Sequence, residues 1–248
     1  MNTWVAGVDG CPGGWLAVLR KLDDPRAAIV RFHSHFADIL TMRAANELLP
    51  PVVIAVDIPI GLPDKGSIGG RLADREARSV LGRRQSAVFA VPARRAVMCT
   101  DYREACATAQ ANSNPSRKVS KQTFNLFPKI REVDALISPT LQDRVFEVHP
   151  EAAFWALNGE TPLSEPKKVK SQAFKPGLNQ RKKLLETAGY DPAFLKTTIA
   201  PRRIAGPDDF LDACANSWSA ARIARGEDKC FPEKEERDSK GLRMEIRC

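Results

Sequence analysis

A chain of 248 residues, 43% of them hydrophobic, is long enough to bury one sizeable core without disulfide or metal staples. Its six cysteines form no C-x-x-C pair and do not alternate with histidine, which excludes a zinc ribbon and a disulfide framework and reads as reduced thiols. No apolar run reaches the length of a membrane span and no basic, apolar leader opens the chain, so a cytoplasmic protein with no membrane partner is expected, while the net charge of +8 favours polyanionic partners and a homo-oligomer stays open.

The first apolar run, 5–8, is unbroken rather than alternating, which suits a strand covered on both faces; it ends in Asp9, followed at once by Gly10-Cys11-Pro12-Gly13-Gly14. Two more strand-like runs, 15–19 and 28–32, flank the turn at Asp23-Asp24-Pro25 and complete a three-stranded antiparallel meander. Apolar residues at helical spacing predict a helix over 37–49, closed by Pro50-Pro51. A second unbroken run, 52–56, then ends in Asp57. Strand, helix and strand make the right-handed unit that sets the Asp57 strand parallel to the first, giving an α/β mixed sheet flanked by helices. Parallel neighbours lie about 4.8 Å apart, so the two carboxylates would emerge together at the carboxyl edge, where α/β sheets hold ligands. At about 4 Å two ionised carboxylates repel by roughly 4 kcal/mol at an effective dielectric of about 20, so such a pair holds a cation or shares a proton. Taken on its own segment, Asp9 reads rather as a cap on its Gly-rich turn, and it is the second run ending in Asp57 that points to a site.

A basic helical insertion follows, over about 64–140. Residues 71–78 are helical in composition, with Asp74 spaced to pair Arg71 or Arg78. Asp101 and Glu104 open a helix over 102–111, and Pro128 is expected to start another over 129–137. Arg83, Arg84, Lys118 and Lys121 are the candidate nucleic-acid contacts, since phosphates are gripped by such side chains without reading of sequence. The run 144–149 predicts a further strand with Glu147 as a third candidate carboxylate, and Pro150 opens a helix over 151–157. His149 reads as a packed or turn histidine, because no second histidine lies at metal spacing. The stretch 161–176 reads as an exposed loop, Lys167, Lys168, Lys170, Lys182 and Lys183 as a solvated face, and 179–188 as a helix closed by Gly189. A last helix runs from Pro207 to Arg225, with Asp209 and Asp212 three apart on one face and Asp208 serving the helix macrodipole. Residues 1–226 are expected to form a single domain, and 227–248 a charged tail without assigned structure.

This order of elements and acids resembles the ribonuclease H-like superfamily. More closely, Val8-Asp9-Gly10-Cys11-Pro12-Gly13-Gly14-Trp15, Val56-Asp57-Ile58-Pro59-Ile60-Gly61-Leu62-Pro63, Lys129-Ile130-Arg131-Glu132-Val133-Asp134, Glu147-Val148-His149-Pro150-Glu151 and Asp208-Asp209-Phe210-Leu211-Asp212-Ala213 are similar to the motifs of an uncharacterised family labelled predicted RNase H-like nucleases, of the domain-of-unknown-function 429 type. The resemblance covers the chain to near Gly226. It implies a ribonuclease H-like sheet and hydrolysis of phosphodiester bonds in DNA or RNA, with Mg²⁺ or Mn²⁺ held by Asp9, Asp57, Asp209 and Asp212 and Glu147 joining them in catalysis. Asp57 stands where Holliday-junction resolvases of this superfamily often carry Glu, one methylene longer. Hard oxygen ligands suit Mg²⁺, and two ions roughly 3.5–4 Å apart would clamp an in-line displacement. Two rival readings stand beside it. An actin- or sugar-kinase-like phosphotransferase or ATPase would suit Asp9-Gly10 with Gly13-Gly14, but the later half offers no second Gly-rich hairpin. A non-catalytic nucleic-acid-binding protein would be indifferent, except in affinity, to loss of its acids.

Overall fold

The computed structural model describes residues 3–44, 47–170, 172–197 and 204–248. β1 (Trp4–Cys11) is buried from Val5 to Asp9, as its unbroken apolar run requires. β2 (Gly14–Lys21) and β3 (Ala28–His33) continue it as an antiparallel meander. On its other side β1 pairs in parallel with β4 (Val53–Asp57), which pairs in parallel with β5 (Val145–Glu147), so the sheet order is β3-β2-β1-β4-β5. The α/β mixed sheet expected from the sequence is thus present.

The connection between β3 and β4 is less helical than its spacing predicts: α1 spans only Phe36–Thr41. Ala45 and Asn46, within the expected helix, lie outside the described residues. Leu48 and Leu49 are exposed rather than packed. Between β4 and β5 the insertion folds as α2 (Leu72–Val80), a short 3₁₀ turn (Gly82–Ala87), α3 (Arg94–Val97), α4 (Tyr102–Ala111) and α5 (Lys121–Leu136). Pro128 does not open α5 but lies inside it, because Ser120 caps the helix eight residues earlier by accepting from Thr123 N–H at 3.0 Å. After β5, α6 (Pro150–Leu157) starts on an N-cap supplied by His149, whose Nδ1 accepts from Glu151 N–H at 3.2 Å. α7 (Lys175–Thr187) and α8 (Pro207–Arg225) follow.

The two faces of the sheet are covered differently. Ala6, Val8, Ile54 and Val56 pack with Phe127, Ile130 and Val133 of α5. The alternate positions, Val5, Val53 and Ala55, pack with Ala220 and Ala221 of α8. Residues 227–248 are not a loose tail: Leu242, Ile246 and Cys248 are buried, and Cys230–Phe231 pairs with Ile246–Arg247. Asp238 accepts from Leu62 N–H at 2.9 Å and also pairs with Arg94 of α3, so polar contacts too distant in sequence to leave any periodicity fix this segment to the insertion.

Gly7 sets how closely α8 approaches. A Cβ there would stand 1.9 Å from Ser217 N and 2.3 Å from Ala213 O, both backbone atoms of α8 that cannot turn aside. Gly7→Ala should therefore push the helix off the strand and cost about 1–3 kcal/mol, or roughly 2–12 °C in melting temperature for a chain of this size. Thermal melting checks it; an unchanged midpoint would mean that the helix is not seated on β1.

Candidate functional site

β1 and β4 finish side by side, with Asp9 directly opposite Asp57 in the parallel register. Directly opposed residues share a face, and here the face is that of Val5, Val53 and Ala55, which α8 covers. From α8 comes Asp212, one residue before the Ala213 whose carbonyl lies against Gly7. Three carboxylates from three elements therefore converge at the carboxyl edge of the sheet. Asp9 and Asp212 are only 6% and 2% exposed. Burial, with Asp57 and Asp212 beside it, pushes the Asp9 carboxyl well above the usual range. Burial pushes Asp212 up to about 6 against the pull of Lys167, whose ammonium pairs with Asp212 Oδ2.

Asp209 and Asp208 stand at the edge of this cluster. Asp209 Oδ2 accepts from Gly206 N–H at 2.7 Å, so one of its oxygens caps α8, while burial raises its carboxyl against that bond. Asp208 pairs with Lys168 at 2.6 Å. The lysines of the 161–176 loop are thus not uniformly a solvated face: Lys167 and Lys168 reach the first turns of α8. Burial alone would lower the Lys167 ammonium, but Asp212, Asp9 and Asp57 together raise it.

Glu147 is not brought to the cluster. Its partner in the register is Val56, one residue before Asp57, so it shares the face of Val56 and Ile54 that the insertion covers. There it accepts from Arg71 Nη1 and Nη2 at 2.8 and 2.5 Å and from Ile60 N–H at 2.6 Å. Arg71 also pairs with Asp74 at 2.7 Å, the helical pairing that the spacing suggested. This buried network clamps the chain after β4 to β5 and α2, a structural task.

Lys129 of α5, which the sequence offers only as part of a motif and without a role, also lines the site. A groove of about 530 Å³, lined by Gly10, Gly13, Gly14, Asn125, Lys129 and Glu132, opens beside the hairpin that follows Asp9. It adjoins a recess of about 130 Å³ lined by Asp9, Asp57, Phe89, Lys129 and His149. Lys129 Nζ donates to Gly14 O at 2.6 Å and sits 4.5 Å from the centre of the Trp15 ring. Its signal was its place in the Lys129-Ile130-Arg131-Glu132 run, which patterning alone assigns to a helix. The four expected nucleic-acid contacts lie elsewhere on the insertion: Arg83, Lys118 and Lys121 are exposed and Arg84 half-buried, and among the described residues none of the four is held in an ion pair. Lys118 lines a separate cavity of about 220 Å³ with Arg117, Ser120 and Thr123.

A family model described as Protein of unknown function (DUF429) matches residues 7–237. The chain belongs to this family. No curated protein and no solved structure matches it. The DUF429 match takes in Asp9, Asp57, Lys129, Lys167 and Asp212, and it runs past α8 into the C-terminal segment.

Among the described residues, no three His, Cys, Asp or Glu side chains are placed as they stand to hold one ion, and no helix is long and apolar enough to cross a membrane. The residue types at the cluster nonetheless suit a hard cation: three carboxylates meet there, and Asp212 Oδ1 is buried with no hydrogen-bond partner among the described residues. The raised carboxyls have a consequence for stability. Between an ordinary aspartate's value of about 3.9 and the value of about 6 at Asp212, the folded chain binds more protons than the unfolded one, so stability falls as pH rises through that window and levels off above it. Asp212→Asn should remove a drop on the order of 2–3 kcal/mol between pH 4 and pH 7. Urea denaturation of both proteins at the two pH values checks this, and an equal pH dependence would contradict it.

Proposed function

We propose that the protein is a divalent-metal-dependent nuclease of ribonuclease H-like fold, hydrolysing phosphodiester bonds at the edge where β1 and β4 end. One observation carries the reading: Asp9 and Asp57 are direct neighbours on parallel strands, and α8 sets Asp212 over them. The strand order, an antiparallel meander followed by two parallel strands, supports it, because this is the sheet that the resemblance implies. Mg²⁺ or Mn²⁺ would be held by Asp9, Asp57 and Asp212, with Asp209 at the rim. When bound, such an ion polarises a phosphoryl oxygen and makes a water nucleophilic near neutral pH. The chain's own part is to position. Lys129, between the groove and the recess, can neutralise a phosphate lying beside Asp9.

The test is incubation with Mg²⁺ or Mn²⁺ and a panel of single-stranded, duplex and branched DNA and of RNA. Metal-dependent cleavage is expected, and none across the panel would defeat the reading. Hydrolysis of ATP without cleavage would select the phosphotransferase alternative, which the groove at the Gly-rich hairpin favours.

Binding to nucleic acid should run through Arg83, Arg84, Lys118 and Lys121 and weaken steeply with salt, since each neutralised phosphate releases counterions. For duplex DNA, replacing all four with alanine should flatten the slope of log K against log salt by about 3–4, at about 0.9 for each phosphate left without its cation. A salt titration by fluorescence anisotropy reads this directly, and an unchanged slope would move the binding surface elsewhere.

A further inference from the structure

The cavity of about 220 Å³ inside the insertion lies apart from the acidic cluster. Its walls are aliphatic: Val91, Pro92 and Ala93, which lead into α3, with Ala109 of α4 and Val119 just before α5. All but Pro92 are buried. The volume is below the roughly 300–1,000 Å³ of pockets that enclose a drug-sized molecule, so the cavity has room for one small ring system.

The polar part of the lining consists of donors. Arg117 and Lys118 are exposed at the cavity, and among the described residues neither is held in an ion pair. Ser113 Oγ accepts from Arg117 N–H at 2.9 Å, which leaves its own hydroxyl hydrogen to donate. Ser120 and Thr123, the cap and first turn of α5, share one hydrogen bond of 2.9 Å between two hydroxyls, so one of their two hydrogens is also left over. Both residues line the cavity, which therefore faces the positive end of the α5 dipole. Among the described residues no carboxylate lines it. Two cations and spare donors beside aliphatic walls select an anion carried on a small ring.

The cavity and the candidate site are built on the same two segments. Ala87 and Phe89 line the recess with Asp9 and Asp57, and the residues that follow directly, Ala90 to Ala93, line the cavity. In α5, Lys129 lines the recess and Thr123 the cavity, about 9 Å apart along the helix axis. At about 3.4 Å per nucleotide of a stacked strand, that is roughly two to three nucleotides.

We infer that this cavity binds one nucleotide unit, its base between the aliphatic walls and its phosphate at Arg117, Lys118 and the first turn of α5. The unit is either a free nucleotide or an unpaired nucleotide of a strand that runs along α5 to Asp9. The choice of a nucleotide among ring-bearing anions rests on the proposed nuclease reading and deepens it, because a base held in a duplex would first have to leave its stack to enter.

The experiment is calorimetric titration of the full chain with 5′-nucleoside monophosphates, their nucleosides and inorganic phosphate, beside fluorescence anisotropy with a labelled single strand and the matching duplex. A monophosphate should bind about tenfold or more tightly than its nucleoside or inorganic phosphate, and the single strand more tightly than the duplex. Ala109→Leu, which fills the cavity, should abolish monophosphate binding, and Arg117→Gln should weaken it by about tenfold, the loss expected when a charged hydrogen-bond partner is removed. Monophosphate binding that Ala109→Leu removes identifies the free nucleotide as a source. A preference for the single strand that Ala109→Leu removes, with no monophosphate bound, identifies the strand. Inorganic phosphate binding as tightly as the monophosphate, binding unchanged in Ala109→Leu, or no monophosphate binding together with equal affinity for single strand and duplex would each overturn the inference. Should Ala109→Leu fail to fold, Ala90→Leu at the exposed rim obstructs the same cavity and decides in its place. No arm reads cleavage, so failure here leaves the nuclease reading standing, and a chain that binds the nucleotide in this cavity but cleaves nothing defeats that reading alone.

Discussion

Asp9→Asn should abolish metal-dependent cleavage without unfolding the chain. Asparagine keeps the shape of the side chain at the end of β1 and removes one negative charge from a cluster of three carboxylates that Lys167 only partly balances. The loss in turnover should at least match the roughly 10²–10³-fold that removing one preorganised electrostatic group costs. In metal-free solution the variant should melt at the same temperature as the wild type or above it, since burial and neighbouring Asp57 and Asp212 already disfavour the charge on Asp9. Added Mg²⁺ separates the two proteins further. At a hundredfold excess over Kd it should stabilise the wild type by about 2.7 kcal/mol, or roughly 5–10 °C for a chain of this size, and the variant by much less. Calorimetric melting with and without Mg²⁺, beside cleavage of the best substrate of the panel, gives both readouts. Cleavage at the wild-type rate, or an equal Mg²⁺ shift in the two proteins, would remove Asp9 from the centre.

The pairing of Asp9 with Asp57 was legible because both signals are local. An unbroken apolar run of this length, bounded by Gly and Pro, suits a strand covered on both faces, and a residue that ends such a strand lies at the edge of the sheet. The helix bearing Asp212 announced itself in the same way, with Pro207 at its first turn and Gly226 in the left-handed conformation just past its end. What the chain does at long range was not legible. Lys167 stands in a loop rich in Lys and Pro, and nothing local separates a lysine that docks on α8 from one that faces water. Glu147 shows the same limit in a sheet, since a register differing by one residue would have set it beside Asp57, on the other face. No pattern within one strand reveals its register against a neighbour.

The helices were misjudged where two local rules compete. Pro128 looks like a helix start, yet the Ser120 cap lies earlier, and the cost of about 3 kcal/mol for a proline inside a helix is offset where α5 packs Phe127, Ile130 and Val133 into the core. The segment after Arg225 looked disordered because its charge density is high. Its few apolar residues, Leu242, Ile246 and Cys248, are nevertheless buried, and Asp238 joins Arg94 and Leu62 across the insertion. A handful of well-placed anchors orders such a segment even though its average composition argues otherwise.

Arg71→Met should be the most damaging single substitution to the fold outside the sheet, and its pH dependence should identify the cause. Arg71 is the shared counter-ion of two carboxylates, Glu147 at 2.5 Å and Asp74 at 2.7 Å, all three nearly inaccessible to water. It also donates to the carbonyls of Ile60 and Gly61, so it holds the chain leaving β4 as well as balancing charge. Methionine fills a similar volume but leaves both carboxylates buried without their counter-ion, held only by backbone N–H groups, a change that typically costs about 3–5 kcal/mol, or roughly 6–20 °C in melting temperature here. Burial already pushes the Glu147 carboxyl up to about 7 with Arg71 in place to oppose it, so in the variant Glu147 should be protonated in the folded state to still higher pH. The folded variant then binds more protons than the unfolded chain from about pH 4 upward, and its stability falls as pH rises through that window. The defect should accordingly be largest near pH 8 and shrink towards pH 5, where the neutral Glu147 carboxyl no longer needs the guanidinium's charge. Urea denaturation of the wild type and variant at pH 5, 6.5 and 8 measures it, and a defect independent of pH would mean that Arg71 acts by packing alone. Glu147→Gln supplies the second arm. Because Glu147 lies on the face of the sheet away from Asp9, its folded fraction should cleave at close to the wild-type rate, and a loss of activity comparable to that of Asp9→Asn would return Glu147 to the catalytic set.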